Sequence, residues 1–90
     1  MVKVLVKKLD PAVKLPIYKT IGSSGMDLMA FIKDPILIKS KSSSLIPTGL
    51  CVAFSSEYEI QIRPRSGLAV KNKISILNTP GTIDSDYRGE

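Results

Sequence analysis

The span Asn78-Thr79-Pro80-Gly81-Thr82-Ile83-Asp84-Ser85-Asp86-Tyr87-Arg88-Gly89-Glu90 packs together an amide, two glycines, two close carboxylates, a tyrosine and an arginine. So many polar and turn-forming residues cannot be buried cheaply in a core strand. A loop that holds a small polar ligand does have this composition. In an extended backbone Asp84 and Asp86 share one face while Ser85 and Tyr87 share the other. At a hairpin tip the geometry stays open, and an ordinary polar hairpin loop reads the same way.

A second cluster is Arg63-Pro64-Arg65-Ser66-Gly67-Leu68-Ala69. Two arginines precede a Ser-Gly that can open a helical turn, where backbone amides attract anions. Arginine grips phosphate with a two-pronged fork. The serine hydroxyl adds a donor, and glycine lets the backbone come close. This is a candidate phosphate cradle, although the Gly-x4-Gly-Lys-Ser/Thr spacing of a P-loop is absent. A capped turn with solvated arginines fits the same residues. The third cluster is Ser24-Gly25-Met26-Asp27-Leu28, in which Asp27 stands among apolar residues. Its carboxylate must be solvated, hydrogen-bonded or paired. It either bonds nearby backbone amides at a strand start or sits near a metal ion such as Mg2+, which keeps several waters and takes one or two carboxylates plus substrate phosphate.

Composition narrows the chemistry. With no histidine, acid–base work falls to carboxylate, lysine or tyrosine. One cysteine, Cys51, excludes an internal disulfide and a Cys/His metal site and points to a reducing compartment. Cys51 reads as a small buried hydrophobe. Thirteen Lys and Arg against eight Asp and Glu give a net charge of +5, which suits an anionic partner or simply solubility. No apolar run approaches the roughly 20 residues needed to span a bilayer. The N-terminus alternates Val2, Val4, Val6 with Lys3, Leu5, Lys7, which reads as an edge strand and not as a signal peptide.

The elements that must position these clusters are mostly strands. Residues 1–90 are long enough for one small domain. Pro11 and Pro16 break any helix near the start, Ser23-Ser24-Gly25 and Asp34-Pro35 mark turns, and Ile36-Leu37-Ile38 reads as a short strand. A β-rich run leads from Leu50 to Phe54. The clearest alternation sets Tyr58, Ile60, Ile62 and Pro64 against Glu57, Glu59, Gln61, Arg63 and Arg65, a half-buried strand. Ser66–Asn72 suits a helical turn capped by Ser66, and Ile74-Ser75-Ile76-Leu77 another strand. About eight short strands, spaced roughly 8 to 12 residues apart, are expected, the rhythm of a sandwich, barrel or jelly roll.

In this order and spacing the three clusters resemble the first three signature segments of the trimeric dUTPases, which convert dUTP to dUMP and pyrophosphate. Ser24-Gly25-Met26-Asp27-Leu28 matches the first, Pro64-Arg65-Ser66-Gly67-Leu68-Ala69 the second and Asn78 through Glu90 the third. The resemblance implies an all-β, distorted jelly roll of the dUTPase-like β-clip type, with residues 1–90 as a single domain that is incomplete at its C-terminus. It implies that Asp84 is the general base that activates water and also bonds the sugar 3′-hydroxyl. Tyr87 would pack against deoxyribose and exclude a 2′-hydroxyl. Asn78 and the backbone of Gly81, Thr82 and Ile83 would read uracil, while Arg65, Ser66 and Gly67 would contact phosphate. Asp27 would organise the Mg2+-bound triphosphate through water.

The same resemblance implies a cytoplasmic homotrimer with active sites between subunits, with dUTP as its ligand and neither nucleic acid nor membrane as a partner. The family's fourth segment, with a water-positioning glutamine, and its fifth, a glycine-rich arm, do not occur in these residues. The ninety residues alone are therefore expected to hydrolyse dUTP weakly or not at all. Two other readings stand beside this one. A dCTP deaminase-like enzyme shares the fold, but that family lacks the Ile83-Asp84-Ser85-Asp86-Tyr87 run. A non-catalytic β-domain that binds an anion or self-associates needs none of these roles.

Overall fold

The computed structural model describes residues 1–90. Its regular elements are β1 (Leu5–Lys8), β2 (Leu50–Ala53), β3 (Ile60–Ile62), α1 (Ser66–Asn72) and β4 (Gly81–Ile83). The class is all-β with one short helix. β1 pairs with β2 and β3 with β4, giving two two-stranded sheets. The chain divides into two compact units, one of Met1–Leu5 and Ala53–Arg88, the other of Val6–Val52 and Gly89–Glu90.

The unit formed by Val6–Val52 and Gly89–Glu90 is organised around Gly49. Beyond the ends of the strands, the Leu9 N–H donates to the Gly49 carbonyl at 2.8 Å. Asp10 closes the next turn by accepting from the Ala12 N–H at 2.8 Å through its side chain and from the Val13 N–H at 3.1 Å through its carbonyl. That turn delivers Val13 to the interior, where Val13 and Leu50 are the buried hydrophobic residues. Gly49 has φ +72°, and a Cβ there would lie 2.5 Å from Val13 Cγ2 and 3.4 Å from the Phe31 ring. Both the backbone and the space therefore demand glycine. The Gly49 N–H donates at 2.6 Å to the carboxylate of Glu90, which is 41 residues away in sequence.

In the other unit, β3 and β4 run antiparallel with Ile60 opposite Ile83, Gln61 opposite Thr82 and Ile62 opposite Gly81. The expected alternation holds across β3: Ile60 and Ile62 are half-buried, Gln61 is exposed, and Pro64 continues the half-buried side. The polar side is laced together. Gln61 Nε2 donates to Glu59 at 3.1 Å, and Arg63 Nη2 donates to Gln61 Oε1 at 2.6 Å. Tyr58 lies outside the pattern, exposed in the chain that follows a turn closed by its N–H on the Ser55 carbonyl.

Several expectations change. There are four strands in place of about eight. Ile36-Leu37-Ile38 and Ile74-Ser75-Ile76-Leu77 are not strands, and Leu37 and Leu77 are more than four-fifths exposed. A strand exists only when a neighbour completes its ladder, and these apolar segments have no such neighbour here. β1 begins at Leu5 and all four of its residues are exposed, so the alternation from Val2 does not translate into one buried face. Cys51 is half-buried rather than buried.

Gly49→Ala combines a left-handed backbone with a clash against Val13. It is expected to destabilise the fold by roughly 2 kcal/mol or more. Chemical denaturation of the parent and the variant measures it; equal midpoints would contradict the account of Gly49.

Candidate active site

The β3–β4 register decides what meets what. Ile62 and Gly81 face each other at one end of the sheet. Arg63-Pro64-Arg65 leaves that end for α1, and Asn78-Thr79-Pro80 enters β4 there, through a cis Thr79–Pro80 peptide. The pairing thus brings together the second signature segment and the start of the third. Gly81 is buried, and a Cβ on it would come within 3.4 Å of Asn78 Oδ1 and 3.6 Å of Nδ2 and of Ile62 Cβ. The Asn78 amide therefore lies beside the Gly81 backbone.

Helix α1 starts one residue earlier than expected. Arg65, not Ser66, is the N-cap, with φ −74° and ψ 126°, and it makes no side-chain capping bond. Arg65 is extended, and Ser66 is already the first helical residue. The Arg65 carbonyl accepts from the Ala69 N–H at 3.0 Å. The amides of Ser66 and Gly67 fall in the first turn, where no intrahelical acceptor exists. A Cβ on Gly67 would meet nothing within 4 Å. Packing does not require glycine at that position, and open space lies beside it. At the far end, Lys73 adopts φ 58°; its N–H donates to the Ala69 carbonyl at 3.1 Å and the Ile74 N–H donates to the Leu68 carbonyl at 3.4 Å.

Asp84 follows β4 at the opposite end of the sheet, beside the Ile60 pair. Residues Asp84–Tyr87 form a tight turn, neither extended strand nor open tip, in which the Tyr87 N–H donates to the Asp84 carbonyl at 3.1 Å. Asp84, Asp86 and Tyr87 are exposed, and Ser85 is half-buried. Arg88, which the residue types alone did not single out, folds back over this turn. Its Nη1 donates to the Ser85 carbonyl at 2.6 Å and to the Tyr87 carbonyl at 3.1 Å. Only the closed turn reveals this role, because it depends on where two backbone carbonyls point.

Asp27 belongs to the other unit. It is half-buried on the wall of a cavity of about 220 Å³, together with Lys14, Thr48 and apolar neighbours that include Val13, Phe31 and Leu50. No group of three or more Asp, Glu, His or Cys side chains converges anywhere in the chain. The residues present thus do not form a metal cage made by the protein alone. No helix is long and apolar enough to cross a membrane.

Comparison with known proteins places this arrangement. The sequence profile of the dUTPase family matches residues 12–90. The deoxyuridine 5′-triphosphate nucleotidohydrolase of Fusobacterium nucleatum is 59% identical over 91 residues, covering 100% of this chain and 62% of the relative. The protein of the same name from Treponema denticola is 58% identical over 83 residues, covering 92% of this chain and 58% of the relative. That from Finegoldia magna is 54% identical over 89 residues, covering 99% and 60%. The chain thus spans about three fifths of the length of the curated relatives it matches. With a profile match over most of its residues and this level of identity, the chain belongs to the dUTPase family.

Proposed function

We propose that these residues form part of an enzyme that hydrolyses dUTP to dUMP and pyrophosphate. The observation that supports the reading is the Ile62–Gly81 pairing, since Arg63-Pro64-Arg65 leaves and Asn78-Thr79-Pro80 enters at that end of the sheet. A phosphate cradle next to a base pocket is what a nucleotide site requires. Relatives bearing the name of this activity support the choice of deoxyuridine triphosphate.

The base pocket rests on β4. This strand pairs with β3 on one edge only, so its other edge carries backbone N–H and C=O groups at fixed spacing. Gly81, Thr82 and Ile83 present that edge to uracil, and the Asn78 amide completes the donor–acceptor order. Tyr87 packs against deoxyribose, where a ribose 2′-hydroxyl would be pressed against the ring and lose its water. Arg65 neutralises phosphate charge, and the Ser66 and Gly67 amides bond phosphate oxygens. Asp84 takes the proton of the attacking water, the role left to a carboxylate in a chain without histidine. Asp27 would hold the waters of a Mg2+ ion. When bound, that ion would neutralise charge on the triphosphate.

Arg65 and Asp84 leave opposite ends of the short β3–β4 sheet. We therefore take each site to be completed by a second copy, in a homotrimer with inter-subunit sites. Such assembly also covers apolar side chains that are exposed in one copy, such as Val70 and Leu77. A free Cys51 suits the reducing cytoplasm.

The test is made on the polypeptide at the full length of its relatives. Asp84→Asn keeps the size of the side chain and removes its capacity to take a proton. It is expected to lower kcat about 100-fold or more with little change in dUMP affinity, measured by pyrophosphate release and by calorimetry. Hydrolysis near the parent rate would show that Asp84 is not the base. Chelation of divalent cations is expected to depress hydrolysis and Mg2+ to restore it, while Asp27→Asn raises the Mg2+ concentration needed for half-maximal rate. An unchanged Mg2+ requirement would remove Asp27 from that role.

A further inference from the structure

We propose that Arg88 is a positioning residue: it sets the geometry of the Asp84–Tyr87 turn, and through it both the activation of water and the choice of sugar. The inference rests on the assignment of Asp84 and Tyr87 made above.

The turn needs such a device. Its residues lie outside β4, with Asp84 and Tyr87 exposed, and one backbone bond, from the Tyr87 N–H to the Asp84 carbonyl, closes it. A turn closed by one exposed bond opens readily. The two side chains assigned to opposite tasks, proton transfer and sugar packing, sit at its first and last positions. Any opening therefore moves one relative to the other, and a displacement of about 1 Å is enough to cost a reaction about 100-fold.

Arg88 counters this opening. Its Nη1 carries two hydrogens and spends one on the Ser85 carbonyl at 2.6 Å and one on the Tyr87 carbonyl at 3.1 Å. Both acceptors lie inside the turn, so the guanidinium ties its second residue to its last. A cationic donor makes these bonds shorter and stronger than neutral ones. Used this way, the arginine stabilises a conformation and need not touch substrate.

The experiment compares Arg88→Ala, Arg88→Lys and Asp84→Asn with the parent, all at the full length of the relatives. It reads kcat and KM for dUTP and for UTP, together with the melting temperature. Arg88→Ala is expected to lower kcat for dUTP about tenfold and the preference for dUTP over UTP about tenfold, because a mobile Tyr87 no longer excludes the 2′-hydroxyl. Arg88→Lys, which keeps the charge and several donors, recovers part of both. A purely structural role would scale total activity with the folded fraction and leave the sugar preference unchanged. Parent-like kcat and preference in Arg88→Ala, or losses in both Arg88 variants that track folded protein with the preference intact, overturn the inference. If Asp84→Asn is inactive while Arg88→Ala behaves as the parent, the inference alone fails. If Asp84→Asn hydrolyses dUTP as the parent does, the assignment of Asp84 fails and the inference falls with it.

Discussion

The antiparallel pairing of β3 with β4 is the constraint on which the site depends. Three residue pairs fix it, with Ile62 facing Gly81 and Ile60 facing Ile83. Because side chains alternate along a strand, a slip of one residue would turn Gly81 outward and bring Thr82 to the covered side. Gly81 is buried in the observed register, with the Asn78 amide and Ile62 at ordinary contact distance from the place a Cβ would take, and the slip would put the larger, now exposed Thr82 there. The same pairing sends Arg63-Pro64-Arg65 out from the Ile62 end and brings Asn78-Thr79-Pro80 in at that end.

A second constraint runs through Gly49. Its left-handed backbone and its contact with Val13 hold the start of β2, and its N–H reaches the Glu90 carboxylate. Glu90 follows directly on the Arg88-Gly89 step that leaves the Asp84 turn. Hydrophobic burial contributes less than the composition suggests. Val13 and Leu50 are enclosed, while Leu37, Leu45 and Leu77 stay in water. Each such leucine forgoes about 2 kcal/mol that burial would give. Covering these surfaces would add that stabilisation.

What could be read from the residues follows from how local each feature is. The alternation through Ile60, Ile62 and Pro64 depends on one strand having one wet face, and it is found as expected. The helical turn after Arg65 was legible from its residue types, displaced by one residue because Arg65, not Ser66, is the last extended residue before it. The segments Ile36–Ile38 and Ile74–Leu77 have strand composition, but a strand requires a distant partner that composition cannot name. In the candidate site, the packing puts the Asn78 amide beside Gly81, a proximity that residue types alone do not give. The Arg88 clamp was not legible, because its acceptors are backbone carbonyls whose directions exist only once the turn has closed. Asp27 was noticed as a carboxylate among apolar residues, and its half-buried place on a cavity wall accounts for that pattern.

The central claim is that a β4-edge pocket beside a phosphate cradle serves deoxyuridine triphosphate. The direct measurement is turnover of dUTP, dCTP and UTP by the polypeptide at the full length of its relatives, with pyrophosphate and ammonia both quantified. The account predicts pyrophosphate from dUTP, little from UTP or dCTP, and no ammonia from any of them. Ammonia from dCTP, or pyrophosphate released as fast from UTP as from dUTP, would contradict it.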